Sequence, residues 1–97
     1  MISQVGANRF EFSIYLPNAS NVELAADFTG WRTPLAMHRC RDGWWRLRTR
    51  VPDGDHEFVY FVNGGGRMPD YAAHGIRFDS SGAIISLLSV EGAPAAA

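Results

Sequence analysis

Apolar residues alternate with polar ones along several short segments, and this period of two limits the possible folds more than any other feature. Every second residue of Arg9–Leu16 is apolar, beginning at Phe10. The segment Val22–Ala26 alternates in the same way. Residues 56–62 are apolar on both faces near their centre, which is typical of a central strand or of one whose outer face is covered. The pattern predicts β-strands, and no stretch has the spacing of an amphipathic helix of useful length.

Turn residues separate these segments. Asp42-Gly43 has the composition of a two-residue hairpin loop, and Pro52-Asp53-Gly54 predicts a second turn. After the hairpin, Trp45 begins an inward set of alternate residues and Trp44 begins the outward set. Gly and Pro together supply 15 of the 97 residues, so such turns recur at short intervals.

The remaining segments give weaker strand signals. Met37–Arg41 predicts one short strand, and Ala83–Val90 predicts the last strand. The stretch from 67 to 82 lacks periodicity, which predicts a long loop with a short edge strand near Ile76–Phe78. Six to eight antiparallel strands in about 90 residues predict an all-β, immunoglobulin-like sandwich. Residues 1–90 would form this one domain, and residues 91–97 a disordered tail.

Composition excludes several classes of function. Ten acidic residues against nine arginines, with no lysine, give a net charge of −1, which argues against a nucleic-acid-binding protein. No apolar run approaches the roughly 20 residues of a membrane span. The single cysteine, Cys40, allows no internal disulfide, and we expect a cytoplasmic protein. The histidine spacing does not match a metal site, and no nucleophile, base and orienting group occur at a motif spacing, so neither a cofactor nor catalysis is expected.

Three segments, in order, resemble the family-48 carbohydrate-binding module, a glycogen-binding, early-set immunoglobulin-like domain. They are Phe10–Pro17, Val22–Trp31 and Gly43–Val62. The second reads Val-Glu-Leu-Ala-Ala-Asp-Phe-Thr-Gly-Trp, and the third has an aromatic strand, a Pro-Asp-Gly turn and a strand that ends in Val-Asn-Gly. The family occurs in the beta subunit of AMP-activated protein kinase and ahead of the catalytic domains of isoamylases and branching enzymes. The resemblance therefore implies a sandwich that binds α-glucan.

The resemblance also implies that the sugar site is only partly kept. The family holds glucan with two stacking tryptophans, a lysine, an asparagine and a leucine. Trp31 corresponds to the first tryptophan, whereas Gly65-Gly66-Arg67 stands where the second is expected. Val59 occupies the lysine position, and Ile85 lies close to the asparagine position. Part of the site is thus absent or rebuilt.

Four residues are candidates for carbohydrate binding: Trp31, Trp44, Arg67 and Tyr71. Aromatic rings suit the apolar C–H faces of sugars, and polar side chains suit their hydroxyls. Trp31 would stack on glucose rings, and Trp44, Arg67 or Tyr71 would supply the second aromatic or polar contact. The structural alternatives stay open: Trp31 would cover one end of the sandwich, and Trp44 would pack on a neighbour such as Arg46 or Val59.

A second function stays open beside glucan binding. Arg46, Arg48 and Arg50 share one face of their strand, where acidic cross-strand neighbours would neutralise them or an acidic partner would dock. Val59 and Phe61 would supply an apolar contact face. The chain is then either a non-catalytic module that binds glycogen or another α-glucan oligosaccharide, or an interaction and scaffold domain that has lost sugar binding. In the second case it would pack on a glycan-active enzyme, a kinase or a second copy of itself.

Overall fold

Two antiparallel sheets face each other in the computed structural model, which describes residues 1–91. Ten strands build them: β1 (Ile2–Gly6), β2 (Arg9–Tyr15), β3 (Val22–Ala26), β4 (Leu35–Ala36), β5 (His38–Arg39), β6 (Trp44–Arg50), β7 (Gly54–Val62), β8 (Gly66–Met68), β9 (Gly75–Phe78) and β10 (Ile84–Val90). The first sheet has the order β1-β2-β6-β5, and the second has the order β4-β3-β7-β10-β9, with β8 paired to β7. The predicted all-β, immunoglobulin-like sandwich is confirmed. The predicted disordered tail, 91–97, lies outside the described residues except for Glu91.

The core between the sheets is rich in aromatic side chains. Phe12 of the first sheet meets Phe58 of the second edge to face, with ring centres 5.2 Å apart, and Phe58 meets Tyr60 at 5.7 Å. Trp45 is also buried, and its indole N–H donates to the carbonyl of Leu16 at 3.0 Å. Burying each such side chain contributes about 1.5–3 kcal/mol. The alternation seen in the sequence therefore identifies the residues that hold the two sheets together.

Strand β7 lies between β3 and β10, and a second apolar cluster covers its outer face. Ala25, Val59 and Ile85 are buried there, and Phe61 packs against them half-buried. This explains why the segment is apolar on both faces, and it confirms the prediction of a central strand. The cluster forms the floor on which the candidate site is built.

Three short strands were not predicted. The short strand expected at Met37–Arg41 is present over fewer residues as β5, which pairs with β6 in the first sheet. Strand β4, which pairs with β3 in the second sheet, was not predicted, and Met37 is buried between the two. The predicted loop at 67–82 begins instead inside β8, although its edge strand is confirmed as β9. Strand β1 is mostly exposed, so its sequence shows no alternation. Backbone hydrogen bonds to neighbouring strands form these elements, and such bonds cannot be recognised from amino-acid composition.

Gly43 closes the β5–β6 hairpin, and we expect Gly43→Ala to destabilise the protein by about 2 kcal/mol or more. Its φ is +87°, and a Cβ would lie 2.8 Å from Cε1 of Tyr15. Gly64 is a matched control because its φ is +78° and a Cβ added to it would meet no atom within 4 Å. Gly64→Ala should therefore lose only about 1 kcal/mol, from the left-handed backbone alone. Urea unfolding of both variants measures the difference, and equal losses would contradict the predicted clash.

Tyr60 should make the fold sensitive to alkali. Its side chain is fully buried and its hydroxyl donates to Oδ2 of Asp70 at 2.8 Å. Burial, followed by the charge of Asp70, raises the pKa of Tyr60 far above its usual value of 10. The unfolded chain releases this proton above pH 10 and the folded chain keeps it, so this contribution to stability is intact below pH 10 and is lost as pH rises. We expect a loss of about 1.4 kcal/mol at pH 11.

The measurement is urea unfolding at pH 8, 10 and 11, with Tyr60→Phe as the control. Because the chain has no lysine, no ammonium side chain titrates in this interval. The phenylalanine variant should show a smaller alkaline loss. The same loss in both proteins would assign the effect to another group.

Candidate functional site

The loop after β3 sets the position of Trp31. A short 3₁₀ turn, Asp27–Thr29, follows the strand, and Gly30 ends it with a left-handed backbone. The hydroxyl of Thr29 donates to the carbonyl of Ala26 at 2.9 Å and accepts from its N–H at 3.1 Å. The N–H of Trp31 donates to the same carbonyl at 2.9 Å. The loop is thus closed by hydrogen bonds on both sides of the turn.

The backbone of Trp31 is strained. Its φ is +59°, and the other two non-glycine residues with positive φ among residues 1–91 are Asn8 and Asn63. Asparagine tolerates this region, whereas a bulky side chain there costs on the order of 1–3 kcal/mol. The residue is 36% exposed. Strain at an exposed aromatic residue is typical of a functional position rather than of a residue that only covers the core.

Trp31 lines an open groove of about 390 Å³ on the outer face of the second sheet. We call this the Trp31 groove; its lining residues are Asp27, Trp31, Glu57, Arg67, Arg77 and Ile85. They come from several different elements. Those on strands meet here because residues paired across neighbouring strands point to the same face of the sheet. Of the four carbohydrate candidates, the groove brings together Trp31 and Arg67.

Charged side chains surround the indole in this groove. Glu57 forms an ion pair with Nη2 of Arg77, and this hydrogen bond raises the pKa of the Arg77 guanidinium above its usual value. Oδ1 of Asp27 lies 2.9 Å from Nδ1 of His56, and Oδ2 of Asp27 accepts from the N–H of Glu57 at 3.1 Å. Arg67 is exposed and forms no salt bridge with any residue from 1 to 91. The groove therefore offers one aromatic surface with hydrogen-bond donors and acceptors at its rim.

Trp44 and Tyr71 lie in a different groove, which we call the tyrosine groove because Tyr15 and Tyr71 are its exposed rings. Trp44 is half-buried: it meets Tyr15 at 5.6 Å between ring centres, and the Arg46 guanidinium carbon lies 5.7 Å from the indole centre. The packing of Trp44 on Arg46, considered from the sequence, is thus present. The four carbohydrate candidates divide into two pairs that do not meet.

Four residues of these grooves are not identified as site residues by the sequence. Asp27, Glu57 and Arg77 line the Trp31 groove, and Tyr15 lines the tyrosine groove. Alternation along β2 marks Tyr15 as outward, opposite Trp44 in the β2–β6 register. No comparable signal identifies Arg77, because its contact with Glu57 depends on how β9 pairs with β10.

The residues considered for partner binding do not form one surface. Arg46, Arg48 and Arg50 lie on the first sheet, whereas Val59 and Phe61 lie on the second. Val59 is fully buried and presents no surface to a partner.

Two of the three arginines are neutralised within the chain. Arg48 Nε lies 2.8 Å from Glu11, as expected for cross-strand pairing, and Arg46 lies 3.1 Å from Asp42. The hydrogen bond from Arg46 holds the pKa of the Asp42 carboxyl below its usual value. This face is therefore largely occupied by its own acidic neighbours.

Neither a metal site nor a membrane-spanning helix occurs within residues 1–91. No cluster of three or more His, Cys, Asp or Glu side chains in this range is arranged to hold a metal ion. No helix in this part of the chain has the length and apolar character needed to cross a membrane.

Comparison with known proteins agrees with the fold. The family described as carbohydrate-binding module 48 (isoamylase N-terminal domain) matches residues 2–75. The 1,4-alpha-glucan branching enzyme GlgB of Lactobacillus acidophilus is 32% identical over 53 residues, which are 55% of this chain and 8% of that enzyme. A crystal structure from Salmonella typhimurium described as a putative alpha amylase superposes with a TM-score of 0.73 at 21% identity, over 91% of this chain and 14% of that one.

This chain therefore spans only a small part of each relative. The family match covers most of the residues that form the two sheets, including Trp31 and every strand from β1 to β8. On that match, the chain belongs to the carbohydrate-binding module 48 family.

Proposed function

We propose that this chain is a non-catalytic module that binds α-glucan through the Trp31 groove. The observation that carries the proposal is the strained, exposed indole of Trp31 at a groove rimmed by charged side chains. A glucose ring laid on the indole would bury its C–H face there. Its hydroxyls would then lie within reach of the donors and acceptors around the ring.

The hydrogen-bonding groups differ from those of the family pattern. Val59, at the position that corresponds to the family's lysine, is buried under the groove and offers no donor. Arg67 approaches from β8 and Arg77 from β9, and both carry guanidinium groups at the rim. We infer that these arginines replace the missing lysine in contacting sugar hydroxyls.

Two carboxylates line the groove, but their partners argue against glycoside hydrolysis. That reaction uses one carboxylic acid that keeps a proton to donate to the leaving oxygen. Asp27 contacts His56 and accepts from the N–H of Glu57, and Glu57 accepts from Arg77. Both carboxyl groups are thus engaged by partners within the chain and neither is free to face a leaving oxygen, so binding without catalysis is the simpler function.

Fluorescence titration with maltoheptaose tests this proposal, with cellohexaose as a matched β-linked control. One aromatic surface predicts weak binding, with a Kd of roughly 0.1–1 mM. We expect a saturable change in tryptophan emission with maltoheptaose and a much smaller one with cellohexaose. No change at 10 mM maltoheptaose, on the order of ten times the weakest expected Kd, would contradict it.

The scaffold alternative receives less support. Two of the arginines proposed to contact a partner, Arg46 and Arg48, are paired with acidic residues of the chain, and Val59 is inaccessible. Phe61 remains half-buried on the outer face, which leaves little apolar area for a stable dimer. An enzyme or kinase partner would therefore have to contact residues of the module other than these.

A further inference from the structure

Two exposed tyrosines and a tryptophan lie together in the tyrosine groove. Tyr15 is 54% exposed and Tyr71 is 74% exposed. Tyr15 is paired directly with Trp44 across β2 and β6, and Tyr71 lies in the segment after β8. The groove shares no lining residue with the Trp31 groove. It is therefore a separate aromatic surface.

The ring of Tyr15 and the backbone that carries Tyr71 are held in place before any ligand arrives. Tyr15 belongs to a strand, and its ring packs so closely on Gly43 that a Cβ there would lie 2.8 Å away. Tyr71 lies between Asp70, whose side chain is buried, and Ala72, whose N–H donates to Oδ1 of Asp70 at 2.9 Å. A ring and a backbone fixed before binding lose less conformational entropy when a ligand binds.

The chemistry of the exposed rings favours a sugar over an apolar peptide. Among the apolar members of the groove, Ile14, Leu16 and Met68 are half-buried, and Met1 is 50% exposed. Tyr71 and Tyr15 are the two most exposed large side chains of the groove, and both are phenol rings with hydroxyl tips. Beside them, the Arg46 guanidinium lies over Trp44 and is fixed by Asp42. Flat apolar faces with polar edges match a pyranose ring, which has a C–H face and a rim of hydroxyls.

We propose that the tyrosine groove is a second α-glucan-binding surface, independent of the Trp31 groove. The choice of α-glucan rests on the proposed function. Because the two grooves share no lining residue, one module would engage two separate chains of a branched glucan. Two weak sites that bind one polymer raise the apparent affinity well above that of either site alone.

The test compares wild type, Trp31→Ala, Tyr71→Ala and the double variant, by calorimetric titration with maltoheptaose and by retention in glycogen-containing gels. Tyr71→Ala should keep maltoheptaose binding at the Trp31 groove but lower glycogen retention at least about tenfold, because bivalent binding is lost. Trp31→Ala should keep a residual maltoheptaose site, and the double variant should lose it. Phe78→Ala is the matched control: Phe78 is 66% exposed and lines neither groove, so its removal should change nothing.

The outcomes separate the two proposals. If Trp31→Ala abolishes all binding, or if Tyr71→Ala is retained by glycogen as well as wild type, the second surface is wrong and the first stands. If Trp31→Ala binds as wild type while Tyr71→Ala does not, the Trp31 groove is wrong and the tyrosine groove stands. If wild type binds no maltoheptaose and no glycogen, both are overturned.

Discussion

Replacing Trp31 with alanine should raise the Kd for maltoheptaose at the Trp31 groove roughly ten- to hundredfold. The substitution removes the one aromatic side chain of that groove. Burying an aromatic face against an apolar partner contributes about 1.5–3 kcal/mol, and each 1.4 kcal/mol is a factor of ten in affinity. Calorimetric titration measures the change. A variant that binds with both the wild-type Kd and the wild-type number of sites would exclude Trp31 from the site.

Trp31→Gly and Trp31→Phe are the controls for this prediction. Trp31→Phe keeps a smaller ring and should lose less affinity than Trp31→Ala. The alanine and glycine variants both lack the ring, but glycine accepts a φ of +59° without strain. Trp31→Gly should therefore be more stable than Trp31→Ala by about 1 kcal/mol, the reverse of the usual order. If Trp31→Ala is instead the more stable of the two, the backbone at position 31 does not stay left-handed in these variants.

The sequence predicts the parts of this fold in which side-chain burial sets the structure. Phe12 and Trp45 alternate with polar neighbours because each strand buries one face, and β7 is apolar on both faces because a second cluster covers it. The short strands escape prediction because backbone pairing alone defines them. Strand β8 arises where glycines precede Arg67, a composition that usually indicates a loop.

The sites are less predictable than the fold because they combine residues distant in the chain. Resemblance points to Trp31 and alternation points to Trp44, but neither shows that the two line different grooves. Arg67 and Tyr71 are only four positions apart, yet they too are divided between the grooves. The order of strands in space decides this, and a pattern along the chain does not record it.

Replacing Asp70 with alanine should destabilise the protein by about 3–5 kcal/mol, the largest loss that we expect from one substitution outside the apolar core. Asp70 is 4% exposed and accepts from the hydroxyl of Tyr60 at 2.8 Å and from the N–H of Ala72 at 2.9 Å. The α-amino group of Met1 also contacts its Oδ2. Without the carboxylate, the fully buried hydroxyl of Tyr60 has no partner, and the segment that carries Tyr71 loses its anchor. Urea unfolding at pH 7 measures the loss.

Two comparisons identify the cause. Asp79→Ala is the matched control, because Asp79 also accepts backbone N–H groups in a turn, from Ser81 at 2.8 Å and from Ala83 at 3.0 Å, but its turn lies at the surface. Asp79→Ala should lose much less stability than Asp70→Ala. An equal loss would show that the burial of Asp70 does not explain the effect. A double variant with Tyr60→Phe has no orphaned hydroxyl, so its loss should be smaller than the sum of the two single losses by about 1 kcal/mol or more. Additive losses would mean that the Tyr60–Asp70 hydrogen bond does not couple the core to the segment that presents Tyr71.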